Sequence, residues 1–163
     1  MAGHIVRFGV RNPANSKFDA LRQSCGTGSV ISITDAIDTA EVVVLAVPGA
    51  AVAEVAAEQG THLAGKLLID TTNNVRGETL HNVDILSAAA PDAIQARAFS
   101  TLGCENFATP ALGGAQIDLF YCGDPRARAT TDRLIADVGL RPVYIGGLDA
   151  ATTIDGVARL WFA

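Results

Sequence analysis

The chain has 163 residues, of which 49% are hydrophobic and 18% are charged, and its formal net charge is -5. This length and composition predict a single globular domain over residues 1–163 with a core of its own. The negative charge argues against a nucleic-acid-binding protein, because such proteins neutralise phosphates with lysine and arginine. No apolar run approaches the roughly 20 residues that cross a bilayer, and no signal peptide is apparent, so we expect a cytoplasmic protein without a membrane partner.

The cysteines and histidines are few and scattered along the sequence. Cys25, Cys104 and Cys122 have no CxxC spacing, which favours reduced thiols that serve as small packing residues over disulfides or a zinc site. The histidines include no pair with the spacing of metal ligands on one helix. We therefore expect no metal.

Short apolar, β-branched segments alternate with longer segments of helical periodicity. The predicted strands are Ile5–Val10, Val30–Ile33, Val42–Val47, Leu67–Asp70, Ile94–Phe99, Ile117–Cys122 and Pro142–Ile145. The predicted helices are Ser16–Gln23, Thr34–Ala40, Ala50–Gln59, Asp84–Ala89, Pro125–Val138 and Ala150–Phe162. Continuous apolar strands separated by helices are typical of a Rossmann-like, doubly wound α/β domain, with a mostly parallel sheet and helices on both faces.

The first predicted strand ends in a basic, polar segment. In a dinucleotide fold the second strand of the sheet ends beside the adenosine ribose, where an acidic residue selects NAD and an arginine accommodates the 2′-phosphate of NADP. Arg11 and Asn12 occupy that place if this strand is the second one, and Ser16 and Lys17 follow. Because a guanidinium has planar donors that suit a phosphate, the segment favours NADP. The alternative is a solvated turn with incidental charge.

The strand Val42–Val47 is cut off by a proline at the expected carboxyl edge of the sheet, where ligands bind in open α/β sheets. Ala46, Val47 and Pro48 would offer an apolar surface to a nucleotide ribose or ring, because proline fixes the loop and lacks an N–H group. The alternative is an ordinary turn from a strand into a helix that carries proline in its first turn.

The next strand is followed by five polar residues, from Asp70 to Asn74. Such side chains often serve only to hold their own loop. Asn73 is nevertheless a candidate ligand, because a side-chain amide near the nicotinamide end of a cofactor could orient its carboxamide or a substrate carbonyl. Asp70 is a weaker candidate for the same role.

Acidic residues in the C-terminal half do not form a paired-carboxylate or Ser-His-Asp arrangement. Asp124 precedes a proline and fits the cap of a helix that Gly139 ends. We predict that Asp118, Asp149 and Asp155, like Asp124, are helix caps or parts of solvated faces.

Five segments together carry a resemblance that spans almost the whole chain. They are Gly3, His4, Val6, Gly9, Arg11, Asn12 and Pro13; Ala46, Val47 and Pro48; Ile69, Asp70, Thr72 and Asn73; Arg97 to Leu102; and Cys122, Gly123, Asp124, Gly139, Leu140, Pro142 and Val143. In their order and spacing these segments resemble the NADP oxidoreductases that depend on the deazaflavin coenzyme F-420, whose relatives include the reductase domains of the Steap ferric reductases. The fourth segment departs from the family pattern, because Ser100 replaces its asparagine.

The resemblance implies an oxidoreductase that transfers hydride between NADPH and a deazaflavin, flavin or similar small-molecule acceptor. The residues it implies for cofactor binding are Arg11, Asn12, Ser16, Lys17, Ala46, Val47, Pro48 and Asn73, with no catalytic side chain. The stretch Gly77–Ala93, which should cover the acceptor, offers only His81 as a polar contact.

The family begins with a strand and a G-x-G-x-x-G turn that cradles pyrophosphate, and both would lie before Gly3. Gly26-Thr27-Gly28 is the only G-x-G here and is predicted to be a simple turn. Without the glycine turn we expect weak dinucleotide binding, which leaves enzymatic activity open. The missing first strand also predicts either a rearranged sheet or open strand edges that form a homodimer. The alternatives are a non-catalytic Rossmann-like remnant and an oligomerising binding module.

Overall fold

The computed structural model describes residues 3–26 and 28–163, except for the side chains of residues 161 and 162. The chain divides into two compact units, Met1–Glu41 and Val42–Ala163. A single domain over residues 1–163 therefore stays a prediction. The predicted turn at Gly26-Thr27-Gly28 includes Thr27, which lies outside the described residues.

The first unit contains two strands and two helices. These elements are β1 (Phe8–Val10), a 3-10 helix (Ser16–Phe18), α1 (Asp19–Cys25), β2 (Val30–Ser32) and α2 (Ile33–Asp38). The strands pair in parallel, with Phe8 opposite Val30. Gly9 allows α2 to lie close to β1, because a Cβ at this position would stand 3.0 Å from the Cβ of Ala36.

The first strand is shorter than the predicted Ile5–Val10. Its hydrogen bonds begin at Phe8, whose N–H donates to the Ser29 carbonyl at 2.6 Å. Ile5 and Val6 precede the strand and are 88% and 54% exposed. Because β2 begins only at residue 30, the residues before Phe8 have no strand opposite them within the described part of this unit. An apolar sequence forms a strand only where a neighbour satisfies its backbone hydrogen bonds.

The second unit is built on a five-stranded sheet. Its strands are β3 (Val42–Leu45), β4 (Leu67–Asp70), β5 (Ile94–Arg97), β8 (Asp118–Gly123) and β9 (Arg141–Tyr144), in that spatial order. Every neighbouring pair is parallel except β5 and β8. The α/β class with a mostly parallel sheet is thereby confirmed.

Helices lie between these strands and after the last one. They are α3 (Val52–Gln59), α4 (Val83–Ala89), α5 (Glu105–Ala108), α6 (Arg128–Asp137) and α7 (Ala151–Phe162), with 3-10 helices at Gly49–Ala51, Gly60–Leu63, Pro125–Ala127 and Leu148–Ala150. In the core, α6 packs against β9 and α7 against β8. Ile69, Leu119 and Tyr121 are completely buried at the centre of the sheet. None of the described helices combines the length and apolar character that crossing a bilayer requires.

Besides the 3-10 helix Gly60–Leu63, two elements of the second unit were not predicted. One is the four-residue helix α5, and the other is a hairpin formed by β6 (Ala111–Leu112) and β7 (Ala115–Gln116). Gly113 and Gly114 make its turn with φ angles of 58° and 83°. A Gly-Gly pair is typical of two-residue hairpin turns, so the sequence did carry a signal for this element.

The strands β1 and β3 each lie at an edge of their own sheet. Among the described strands, β1 pairs only with β2 and β3 only with β4. Open strand edges are one of the two arrangements expected from the sequence. Pairing of these edges between two copies of the chain stays a prediction.

Candidate functional site

The loop after β1 presents the four residues predicted to bind the adenosine end of a cofactor. Arg11, Asn12, Ser16 and Lys17 are all exposed. The Asn12 side-chain carbonyl accepts the N–H of Ala14 at 3.2 Å. This Asx turn commits the Asn12 oxygen to the loop itself, so that its amide N–H groups are the part suited to an anion.

The shape of this loop is fixed by residues that the sequence reasoning did not single out. The Asn15 side chain caps the 3-10 helix by accepting the N–H of Lys17 at 3.0 Å. Arg22 Nη2 donates to the Pro13 carbonyl and, at 3.3 Å, to the Asn15 carbonyl. Its other terminal nitrogen, Nη1, pairs with the Asp19 carboxylate. The only sequence signal for this role was the (i, i+3) spacing of Asp19 and Arg22 on one helix.

In the second unit, the loops that follow β3 and β4 touch each other. A Cβ at Gly49 would lie 2.5 Å from the Asn73 carbonyl oxygen and from the Asn74 Cα, so only glycine fits there. Just before it, Ala46 and Pro48 are exposed and Val47 is half-buried. The structure therefore brings Gly49, the residue that follows the predicted apolar segment 46–48, against the backbone of Asn73.

A buried arginine organises the end of β4. Arg97 is completely buried and uses both terminal nitrogens of its guanidinium. Nη1 donates to the Thr72 carbonyl at 2.8 Å and lies 3.3 Å from Asp70. Nη2 donates to the Asn73 side-chain oxygen at 2.8 Å and lies 2.9 Å from the Asp155 carboxylate. The site thus contains a cation with two carboxylate partners.

Asp155 is not the cap or solvated residue that the sequence predicted. It is only 3% exposed, and its second oxygen accepts the N–H groups of Leu80 at 2.8 Å and His81 at 3.0 Å. The prediction was wrong because the helix was read alone, whereas a buried arginine on β5 requires a buried partner. The signal available in the sequence was an arginine, Arg97, inside the segment predicted as the strand Ile94–Phe99.

The other three aspartates match the prediction. Asp118 pairs with Arg141 at the surface, and hydrogen bonding from that guanidinium lowers the pKa of Asp118. Asp124 caps its helix by accepting the N–H of Arg126 at 2.8 Å. Asp149 is exposed in the first turn of the 3-10 helix that precedes α7.

Asp70 and Asn73 differ in how far the fold uses their side chains. Asp70 is buried, and one of its oxygens accepts both the N–H and the hydroxyl of Thr72, at 2.9 and 2.6 Å. Asp70 therefore holds its own loop, which was the alternative considered. The half-buried Asn73 accepts from Arg97 and donates from Nδ2 to the Ser100 carbonyl at 2.9 Å.

The turn after β5 contains strained backbone and buried hydroxyls. Phe99 adopts a φ of 59°, a left-handed conformation that is uncommon outside glycine and tends to mark functional segments. The hydroxyls of Ser100 and Thr101 are buried without a hydrogen-bond partner in the described structure. This turn adjoins Asn73 through the Ser100 carbonyl.

The cysteines confirm their packing prediction only in part. Cys122 is buried, and desolvation raises the pKa of its thiol to about 11. Cys25 and Cys104 are exposed, so they do not pack as predicted. Cys25 ends α1 and Cys104 lies in a loop, whereas Cys122 belongs to an inner strand of the sheet.

The predicted acceptor contact, His81, is half-buried and bound to its own loop. Its Nδ1 atom accepts the N–H of Val83 at 3.4 Å, and its backbone N–H donates to Asp155. The contacts of this histidine therefore hold the segment before α4.

Comparison with known proteins links this geometry to a family. Residues 1–74 match the family described as NADP oxidoreductase coenzyme F420-dependent, which confirms the resemblance for the three of its five segments that lie in this range. No curated protein matches the chain.

Solved structures share its fold. A hypothetical protein from Sinorhizobium meliloti is 27% identical with a TM-score of 0.72, over 89% of this chain and 74% of that one. An Arthrobacter sp. FB24 protein assigned as an F420-dependent NADP-reductase is 24% identical with a TM-score of 0.82, over 98% and 82% of the two chains. An NADP-bound pyrroline carboxylate reductase from Plasmodium falciparum is 19% identical with a TM-score of 0.54, over 83% and 49%. The fold of this chain is therefore Rossmann-like, as it is in these reductases.

Proposed function

We propose that this chain, whose residues 1–74 match the F420-dependent NADP oxidoreductase family, binds NADP(H) and transfers hydride between NADPH and a deazaflavin, flavin or similar acceptor. The observation that carries the proposal is the exposed loop after β1, where Arg11 and Lys17 stand with no carboxylate before Asp19. This donor set fits the 2′-phosphate of NADP better than the 2′-hydroxyl of NAD.

The adenosine end of the coenzyme is assigned to the first unit. Arg11 would donate its guanidinium N–H groups to the 2′-phosphate, and the Ser16 hydroxyl and Lys17 ammonium would add further donors. The ammonium of Lys17 lies 4.8 Å from the centre of the Phe18 ring, which holds it close to the loop. The loop needs little reorganisation on binding, because Arg22 and Asn15 already fix its backbone.

The nicotinamide end is assigned to residues of the second unit. Ala46, Val47 and Pro48 would lie against an apolar face of the coenzyme, and the Asn73 amide would contact its carboxamide. When bound, NADPH supplies the hydride, so the protein has to provide distance and orientation rather than acid-base groups. This requirement agrees with a site whose titratable residues are committed to the fold.

Two of the solved structures support this assignment through their shared fold. The Arthrobacter protein is assigned as an F420-dependent NADP-reductase, and the Plasmodium reductase was solved with NADP bound. Because both are less than 25% identical to this chain, the shared fold is what they contribute. The family match over residues 1–74, which includes Arg11 and Lys17, agrees with the choice of NADP.

Calorimetry with NADPH and NADH tests the proposal. We expect weak but measurable binding of NADPH and still weaker binding of NADH. Substitution Arg11→Ala should weaken NADPH binding by tenfold or more, as expected for loss of charge-assisted hydrogen bonds of roughly 1.5–3 kcal/mol, and should leave NADH unchanged. Arg7→Ala is the matched control, since Arg7 is also exposed but precedes β1. A folded chain that binds neither nucleotide would reject the function.

We propose as a second candidate an oligomerising module that pairs through its sheet edges. The observation that favours it is β3, an edge strand of three consecutive valines in which Val44 is 52% exposed. An edge strand without lysine, proline or a bulge invites pairing with another chain, and a homodimer is the simplest result.

Sedimentation of two variants tests the edge pairing. Val44→Lys should shift a dimer toward monomer, because a charge on an edge strand opposes strand addition. Ile85→Lys is the control, since Ile85 is 40% exposed on a helix of the same unit. Equal sedimentation of both variants and the unaltered chain would exclude pairing through β3.

A further inference from the structure

We propose that Arg97 is a positioning residue whose buried guanidinium sets the orientation of the Asn73 amide, so that Asn73 offers a ligand an N–H donor and not an acceptor. The proposal rests on the function proposed above, in which Asn73 contacts the coenzyme. It adds the polarity of that contact and the residue that determines it. The ligand group that fits Asn73 is then a carbonyl or carboxylate oxygen.

The polarity of the Asn73 amide follows from two partners of opposite character. Its Oδ1 accepts a hydrogen bond from Arg97 Nη2 at 2.8 Å, and its Nδ2 donates to the Ser100 carbonyl at 2.9 Å. A flipped amide would place an NH2 group against the guanidinium and an oxygen against the carbonyl. Both contacts would become repulsive, so Arg97 and Ser100 together exclude the flipped form.

Arg97 can fix the orientation of the Asn73 amide because its own side chain is held in place. Its side chain is fully buried, and its terminal nitrogens are held by the Thr72 carbonyl at 2.8 Å and the carboxylates of Asp70 and Asp155 at 3.3 and 2.9 Å. The planar guanidinium fixes the directions of its N–H groups once these partners are in place. A lysine at this position would carry the same charge without the planar donor geometry.

The carbonyl on the other side of Asn73 is also fixed. Phe99, with its φ of 59°, turns the chain directly before Ser100. Phe99 packs against the hydrophobic core of the sheet and contacts Phe107 edge to face, with ring centres 5.8 Å apart. The turn that supplies the carbonyl is thus anchored in the core.

One N–H group of Asn73 is left for a ligand. A carboxamide has two N–H groups and one oxygen with two lone pairs, and in Asn73 this oxygen is bound to the Arg97 cation. Within the described structure, the oxygen binds Arg97 and one N–H binds Ser100. The second N–H therefore sets what Asn73 can recognise, and it requires an acceptor such as the carboxamide oxygen of a nicotinamide.

The test compares the NADPH affinity of two variants, Asn73→Asp and Asn74→Asp. Asn74→Asp is the control, because it introduces the same charge one residue further along. An aspartate at position 73 keeps an acceptor for Arg97 but has no N–H for a ligand. We expect Asn73→Asp to weaken NADPH binding about tenfold relative to Asn74→Asp. Binding of adenosine 2′,5′-bisphosphate, which lacks the nicotinamide, should be equal in both variants. Equal NADPH affinity in the two variants, or equal loss of both ligands, would overturn the proposal.

A second measurement examines the role of Arg97 without any ligand. In NMR spectra the Asn73 side-chain NH2 signals should shift in Arg97→Lys, and their exchange with water should become faster, because the amide is released. Unchanged signals in a folded Arg97→Lys chain would show that Arg97 does not orient Asn73. If that variant does not fold, the ligand comparison decides. If the unaltered chain binds no NADPH, the proposed function fails, and the NMR result alone decides the positioning role.

Discussion

The Arg97 guanidinium and the Asp155 carboxylate lie 2.9 Å apart and are both buried, which joins the central strand β5 to the last helix, α7. The same carboxylate accepts two backbone N–H groups from the segment before α4. Three parts of the second unit that are distant in the sequence thus meet at one side chain. This relationship makes Asp155 a structural residue despite its charge.

Substitution Asp155→Ala should destabilise the second unit by about 3–5 kcal/mol, because it leaves Arg97 buried without this partner. Asp155→Asn should cost less, since an amide oxygen can still accept the N–H groups of Leu80 and His81. Urea denaturation monitored by circular dichroism measures both effects. Glu58→Gln, an exposed position on α3, should leave the midpoint unchanged. A midpoint shift in Asp155→Ala no larger than that control would contradict the buried ion pair.

The contact between Gly49 and the loop after β4 predicts opposite effects for two glycine substitutions. Gly49→Ala should lower stability by about 1–3 kcal/mol, because its Cβ has no space beside Asn73. Gly156→Ala should raise stability by up to about 1 kcal/mol, because Gly156 is exposed within α7 and its Cβ meets no neighbour. Thermal unfolding of the two variants checks both signs. Equal stability of Gly49→Ala and the unaltered chain would mean that the two loops separate easily.

The three thiols should differ in reactivity. Cys25 and Cys104 are exposed, whereas Cys122 is buried with a pKa raised to about 11 by desolvation. At about pH 8 a disulfide reagent should therefore modify two thiols in the folded chain and all three after denaturation. Mass spectrometry of the modified peptides identifies which thiols reacted. Rapid labelling of Cys122 in the folded chain would show that the strand β8 opens readily.

The cap at Asp124 should give a pH-dependent contribution to stability. Hydrogen bonds from the Arg126 side chain and backbone lower the pKa of Asp124 below its ordinary value. A carboxylate with a lowered pKa stabilises the fold above the unfolded pKa of about 3.9, and this contribution is lost as pH falls through the folded pKa. Asp124→Ala should thus cost about 1 kcal/mol near neutral pH and progressively less in acid.

Asp124→Asn provides the control for the charge. Asparagine can still accept the N–H of Arg126 as a cap, and the ion pair that it removes is exposed. Asp124→Asn should therefore lower the free energy of unfolding only slightly at neutral pH. Chemical denaturation across the acidic range measures the difference between the two variants. A cost for Asp124→Ala that does not change with pH would show that the carboxylate charge is irrelevant to the cap.

Local sequence patterns predicted most of the fold. Every predicted strand and helix has a counterpart in the structure, with ends that differ by a few residues. The elements could be predicted because the spacing of apolar residues and the turn residues are local properties of the sequence. Gly139 ends its helix as expected, with a φ of 85° and an N–H bonded to the Ala136 carbonyl. The shortening at Ile5–Val10 was not predictable locally, since it depends on where the partner strand begins.

The candidate site was harder to predict than the elements that carry it. Polar residues were expected at the end of β4, and they are there, but the partners of Asn73 come from β5 and the turn after it. Sequence spacing does not reveal that Arg97 points at Thr72 and Asn73, because strand order determines this contact. The burial of Asp155 depends likewise on the packing of α7, which no local pattern encodes.

The position of Asp155 also has a consequence for the order of folding. It is 75 residues beyond Leu80, so this hydrogen bond closes a long loop and cannot form until α7 has been synthesised. Until then Arg97 has no Asp155 beside it, and its charge favours a hydrated, open state of the sheet. On a ribosome the strands β3 to β9 would emerge first and remain incompletely closed. The final burial of charge would then wait for α7 to dock against the sheet.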